Sequence, residues 1–150
     1  MADIKSPEER SRNMAKIRST DTKPEEYIRK KLYSQGYRYR KNTSLIEGHP
    51  DLWLPKYHTA IFVNGCYWHR HEGCRYAYMP KSRVDFWKKK FQNNVDRDRR
   101  VKKELLGKGI RVVIIWECII KNMWKSSEYE SEIISKIDAF VKSEKMFLEL

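Results

Sequence analysis

The sequence predicts one mixed α/β (α+β) domain, a mixed central sheet flanked by helices, and three observations carry that expectation. Charged, helix-forming segments alternate with short apolar runs, as expected of a sheet covered by helices. The run I-R-V-V-I-I-W at 110–116 is apolar at nearly every position, which suits a strand buried on both faces. A chain of 150 residues is long enough for one domain with its own core, at a size where folding buries about two thirds of the unfolded surface.

The elements follow in chain order. Residues 1–21 carry many charges and little apolar pattern, and read as an N-terminal arm that orders on a partner, leaving 22–150 as the domain. In T-K-P-E, Thr22 caps a helix, Glu25 stands at capping-box spacing and Pro24 is tolerated in the first turn; the helix runs to Ser34, ahead of Gly36. Y-R-Y-R at 37–40 alternates like a half-exposed strand. D-L-W-L at 51–54 and A-I-F-V at 60–63 are strands separated by the turn P-K-Y-H. A charged helix from Val84 to Leu106, closed by Gly107 and Gly109, feeds the apolar strand, and a final helix spans Ser127 to Lys142.

Charge narrows the function. Thirty-two Lys and Arg against 20 Asp and Glu give a net charge of +12 and a pI near 9.6, which predicts a polyanionic partner such as nucleic acid. A basic membrane-surface protein would need a long amphipathic helix with a clean apolar face, and none is present. Rings make up 13% of the chain and either stack on bases or fill the core. There is no secretory signal and no run of about 18 apolar residues. The three cysteines cannot all pair with one another, so a reducing, cytoplasmic compartment is expected.

The stretch N-G-C-Y-W-H-R-H-E-G-C at 64–74 gathers thiols, imidazoles and large rings. Cys66, His71 and Cys74 supply three ligands for a tetrahedral zinc, and Cys118 in W-E-C is the remaining cysteine that completes the set; the plainer reading is buried or free thiols. In H-P-D-L-W-L, Asp51 opens a strand beside the end of I-F-V-N-G, where a carboxylate and a neighbouring backbone carbonyl could share a divalent cation. Pro-Asp also marks ordinary turns.

Five segments, R-S-R-N-M-A-K-I-R-S-T-D-T-K-P-E, H-P-D-L-W, I-F-V-N-G-C-Y-W-H-R-H-E-G-C, F-W-K-K-K-F-Q-N-N-V-D-R-D-R-R and V-V-I-I-W-E-C, together resemble the very short patch repair endonucleases, bacterial enzymes that nick DNA at T:G mismatches left by deamination of 5-methylcytosine. The resemblance runs from Arg10 to Cys118. It implies a restriction-endonuclease-like fold, a structural Zn²⁺ and a catalytic Mg²⁺. Asp51 would ligate Mg²⁺ together with the backbone carbonyl of Val63. His69 falls at the catalytic histidine and Glu25 at the active-site acid, where it would orient His69 or a water. Asn64 stands where some members carry a histidine; it can hydrogen-bond but cannot transfer a proton, which places the burden on His69. Tyr67, which stands where a Phe can occur, would insert beside the mismatch with Trp68 and Trp87, while Phe86 is assigned to the core. Arg97, Arg99 and Arg100 would contact phosphates or, more plainly, form a solvated helix face. The implied protein is a monomer that nicks duplex DNA 5′ of the mispaired T, without membrane involvement. Two alternatives are a restriction-type endonuclease of the same fold acting on matched duplex, and a non-catalytic zinc-stabilised DNA-binding module.

Overall fold

The computed structural model describes residues 21–150, so the arm expected at 1–21 lies outside the described residues except for Asp21. Helix α1 (Lys23–Ser34) is followed by β1 (Arg40–Lys41), β2 (Leu52–Leu54), a short 3-10 turn (Pro55–Tyr57) and β3 (Thr59–Asn64). The long helix α2 (Val84–Gly107) leads to β4 (Arg111–Trp116), α3 (Glu117–Lys125), α4 (Ser127–Val141) and β5 (Phe147–Glu149). The strands lie in the order β1-β2-β3-β4-β5, with β1–β2 and β2–β3 antiparallel and β3–β4 and β4–β5 parallel. Among the described residues, no helix is long and apolar enough to cross a membrane.

Strand alternation divides the core. Leu52, Leu54, Ile61, Val113 and Ile115 face α1, α3 and α4, where they meet Ile28, Leu32, Ile120, Met123 and Ile137. Trp53, Ala60 and Val112 face the other way, onto Val101 and Leu105 of α2. β4 therefore contributes to both layers, as its unbroken apolar run requires. The register Val63↔Ile115 and Asn64↔Trp116 ends β3 and β4 side by side, which brings residues 63–66 next to 116–118.

Three local expectations change. Y-R-Y-R forms a strand only from Arg40, because β2 offers a partner of three residues and its pairing ends at Arg40↔Trp53. The alternation is kept: Tyr37 turns into the core with its hydroxyl on Asp138, while Arg38 stays outside. Thr22 does cap α1, its Oγ1 accepting from the Glu25 amide at 3.4 Å, but Glu25 reaches back to the amide of Asp21 at 2.7 Å, one residue before the cap. Phe86 is 45% exposed, lying in the first turn of α2 before that helix reaches the sheet; Phe91 is the buried ring instead. Helix α3 and strand β5 were not expected. β4 passes into α3 with no intervening residue, and β5 adds as an edge strand on Val112–Ile114.

Candidate active site and metal centre

β2 begins immediately after Asp51, and the antiparallel pairing Leu52↔Ile61 sets this carboxylate against the end of β3. Asp51 Oδ2 accepts a hydrogen bond from the Val63 amide at 2.6 Å. Burial pushes the Asp51 carboxyl up to about 7, the nearby Glu25 carboxylate adds to the rise, and the Val63 amide opposes it. Glu25 is itself buried, on the first turn of α1, where Arg29 Nη2 donates to its Oε2 at 3.1 Å. Glu25, Val63, Trp68, His69, Lys90 and Arg97 line a cleft of about 600 Å³. A buried carboxyl whose proton affinity is raised, with a second carboxylate beside it, makes a site suited to a cation.

His69 enters this cleft from the loop after β3. Its Nδ1 lies 2.7 Å from Asp98 Oδ2 on α2, so the histidine is oriented by Asp98, whereas Glu25 is held by Arg29 and Asp21. Asp98 was hidden in the sequence within D-R-D-R-R, which reads as a solvated face; its signal is an acid spaced between bases on a helix that passes the histidine loop. Asn64 is buried and lines a pocket shared with His69 and Asp98, on the sheet face opposite Val63. The arginines diverge around α2. Arg97 lines the cleft, Arg99 a cavity beside His71, and Arg100 a pocket under the 44–49 loop; all three are exposed.

Cys66, His71, Cys74 and Cys118 converge, with ligand atoms all within 4.8 Å of one another. His71 Nδ1 is 3.5 Å from Cys66 Sγ and 3.4 Å from Cys118 Sγ, which makes it the ring nitrogen turned to the centre. Burial pushes the Cys66 thiol up to about 12 and raises Cys118 as well, so two adjacent thiolates need a cation between them. The donor set therefore fits a single metal ion. Trp116, unremarked in the sequence, supports it: its ring stacks on His71 at 4.2 Å and 6°, while its Nε1 donates to Glu149 on β5 at 2.9 Å.

The rings beside this centre pack on one another. Trp68 lies 6.0 Å from Trp87, Trp87 stacks on Phe91 at 5.6 Å and 30°, and Tyr67 meets Phe91 edge-on at 5.2 Å. Tyr67, Trp68 and Trp87 are all half-buried, forming a ring cluster whose outer edges meet solvent. Lys90 sits over both tryptophans, at 5.8 and 5.9 Å from the ring centres.

A family model described as DNA mismatch endonuclease Vsr matches residues 2–75. The Type II nicking enzyme V.NmeAIP of Neisseria meningitidis is 42% identical over 137 residues, covering 91% of this chain and 97% of that protein. This chain belongs to the Vsr family. The DNA mismatch endonuclease Vsr of Escherichia coli is 37% identical over 128 residues, 85% of this chain and 81% of that protein. The Type II nicking enzyme V.XorIIP of Xanthomonas oryzae is 41% identical over 123 residues, 82% of this chain and 90% of that protein. Membership in the Vsr family makes this chain a DNA endonuclease, a hydrolase that nicks DNA on a restriction-endonuclease-like fold. The +12 charge is consistent with a DNA substrate.

Proposed function

We propose that this chain is a monomeric, Mg²⁺-dependent, zinc-stabilised endonuclease that nicks duplex DNA 5′ of the mispaired T at T:G mismatches, in very short patch repair of deaminated 5-methylcytosine. The observation that carries the chemistry is the Asp51 carboxylate, hydrogen-bonded to the Val63 amide and beside Glu25, two residues that line one cleft with His69. Asp51 and the Val63 carbonyl would hold Mg²⁺, which would supply Lewis acidity at the scissile phosphate. His69 donates from Nδ1 to Asp98, which fixes the tautomer and leaves Nε2 as the acceptor for the proton of the attacking water. Asp98 stabilises the imidazolium formed in that step, as a carboxylate behind a catalytic histidine does elsewhere.

The ring cluster supports mismatch recognition. Inserting Tyr67, Trp68 and Trp87 between base steps costs a few kcal/mol per step, and least where pairing is already weak, so a wedge favours mispaired sites. Trp68→Ala is expected to lower the preference for mismatched over matched duplex by about 10-fold, since stacking on one base contributes roughly 1–3 kcal/mol. Arg97→Ala should weaken binding to both duplexes and reduce the salt slope by about one. Fluorescence titrations of the two duplexes at several salt concentrations check both; an unchanged preference in Trp68→Ala would remove that ring from recognition.

The Cys and His donors favour zinc among common divalent ions. Cys118→Ala is expected to lose bound zinc and soluble yield before it changes the chemistry, because it unties α3 from the wedge loop. Elemental analysis of purified wild type and variant decides this, and zinc-free folded wild type would refute it.

The relatives named as type II nicking enzymes favour one second reading, a nick at a specific site in matched duplex. A panel of labelled T:G and matched duplexes with varied flanks, including C-T-A-G-G, tests both readings, with Mg²⁺ or EDTA. A single nick before the mispaired T, absent in EDTA, is expected; equal nicking of matched duplex would support the second reading. Binding without nicking would leave a zinc-stabilised DNA-binding module.

A further inference from the structure

Arg29 is 4% exposed, and among the described residues every acceptor it reaches belongs to the elements around the carboxylate pair. Its Nη1 donates to Asp21 Oδ1 at 2.7 Å. Its Nη2 donates to Glu25 Oε2 at 3.1 Å, to Asn42 Oδ1 at 3.2 Å and to the backbone carbonyl of Asp51 at 3.3 Å. The acceptors are cross-linked in turn: the Asp21 amide donates to Glu25 Oε2 at 2.7 Å, and Asn42 Nδ2 to Asp21 Oδ1 at 3.2 Å. Lys41 Nζ, 3.7 Å from Asp21 Oδ1, is a second cation on this ring.

Such a residue is not needed to dock α1. Ile28 and Leu32, both fully buried, do that by filling the core on the same helix. Burying a guanidinium is costly, and here the Nε is buried with no hydrogen-bond partner among the described residues. What the side chain does achieve is a bridge of fixed length. It ties the first turn of α1, which carries Glu25, to the backbone of Asp51 at the mouth of β2. Only a planar fork can serve these acceptors at once.

We infer that Arg29 is a positioning residue for the nicking reaction: its guanidinium fixes the Glu25 carboxylate against Asp51 at the spacing at which the pair accepts a divalent cation. The inference rests on the reading of Asp51 as a cation ligand. The fork matters as well as the charge, so Lys is an inadequate replacement.

The test uses full-length wild type, Arg29→Lys, Arg29→Met and Asp51→Asn on a T:G duplex. Melting curves establish folding, and binding is measured in EDTA. Single-turnover nicking is followed across Mg²⁺ concentrations, and Mn²⁺ binding is read directly by electron paramagnetic resonance. Both Arg29 variants are expected to bind the duplex within about threefold of wild type and to nick about 10²-fold more slowly, the scale of a misplaced reacting group. Their half-saturating Mg²⁺ and Mn²⁺ concentrations should rise about 10-fold, with Arg29→Met the more affected. Unchanged nicking and cation binding in a folded variant would overturn the inference, as would a slower nick with unchanged Mn²⁺ binding. Failure of both Arg29 variants to fold would assign the residue to the fold alone and overturn it too. If Asp51→Asn nicks like wild type, the reading of the site itself fails; if Asp51→Asn is inactive while the Arg29 variants match wild type, only the role of Arg29 is lost.

Discussion

Asp51→Asn is expected to bind a T:G duplex with near-normal affinity, to nick it about 10³-fold more slowly, and yet to be the more stable protein at alkaline pH. The rate falls because the amide keeps the shape and can still accept from the Val63 amide, but has no charge for a cation. The stability change follows from Asp51 being lifted from its ordinary 3.8 to about 7, chiefly by burial. At pH values below about 4 the carboxyl is protonated in folded and unfolded chains alike, and the substitution is neutral. Between pH 4 and 7 the unfolded chain releases a proton that the folded protein keeps, so wild-type stability falls as pH rises. Above 7 the folded protein carries the full cost of a confined charge. The amide never does, and in the absence of divalent cation Asp51→Asn should gain roughly 1–2 kcal/mol at pH 8, once solvent screening is allowed for. Denaturant melts in EDTA at pH 4 and pH 8, beside single-turnover nicking in Mg²⁺, check the two halves. Wild-type-like nicking would sink the proposed site, and a gain that was the same at both pH values would refute its electrostatic origin.

His69→Ala is expected to lower the single-turnover rate by about 10³-fold, within the range of lost general acid-base catalysis. No second histidine stands ready, since Asn64 occupies the neighbouring position and exchanges no proton. Asp98→Asn should cost less, about 10- to 10²-fold, because the imidazole remains but loses the carboxylate that fixes its tautomer and steadies its cationic form. The two variants combined should be no slower than His69→Ala alone, since Asp98 acts through the histidine. Rates of all three on one T:G duplex measure this; a double variant slower by the product of the single effects would show that Asp98 acts independently.

Periodicity carried most of the fold. The apolar run of β4, the capping residues of α1 and the long charged helix are each set by nearby residues, and these elements formed within a residue or so of expectation. What failed was set at a distance. β1 is short because β2 is short, β5 exists because β4 offers an open edge, and α3 starts without a punctuating residue because Trp116 is itself the N-cap. The four metal-site donors were readable as Cys and His in one loop plus a single remaining cysteine. Asp98 and Arg29 were not, because each looks like one more charge on a polar helix; only the neighbouring backbone shows that one faces a histidine and the other is buried.

Helix α2 is long but unevenly anchored, and that has a consequence for how the molecule breathes. Val101 and Leu105 hold its C-terminal third under the sheet, where Val101 packs so closely on Gly48 that an added Cβ there would stand 2.4 Å from Cγ1. Over its first half Phe91 alone is buried, and it rests on Tyr67 and Trp87 rather than on a strand. The C-terminal third can open only when the sheet does, while the first half needs the ring cluster to part. Segment 84–95 is thus held mainly by the ring cluster and by Asn94, which donates to the Trp68 carbonyl at 3.0 Å, while the sheet beneath is held by its own register.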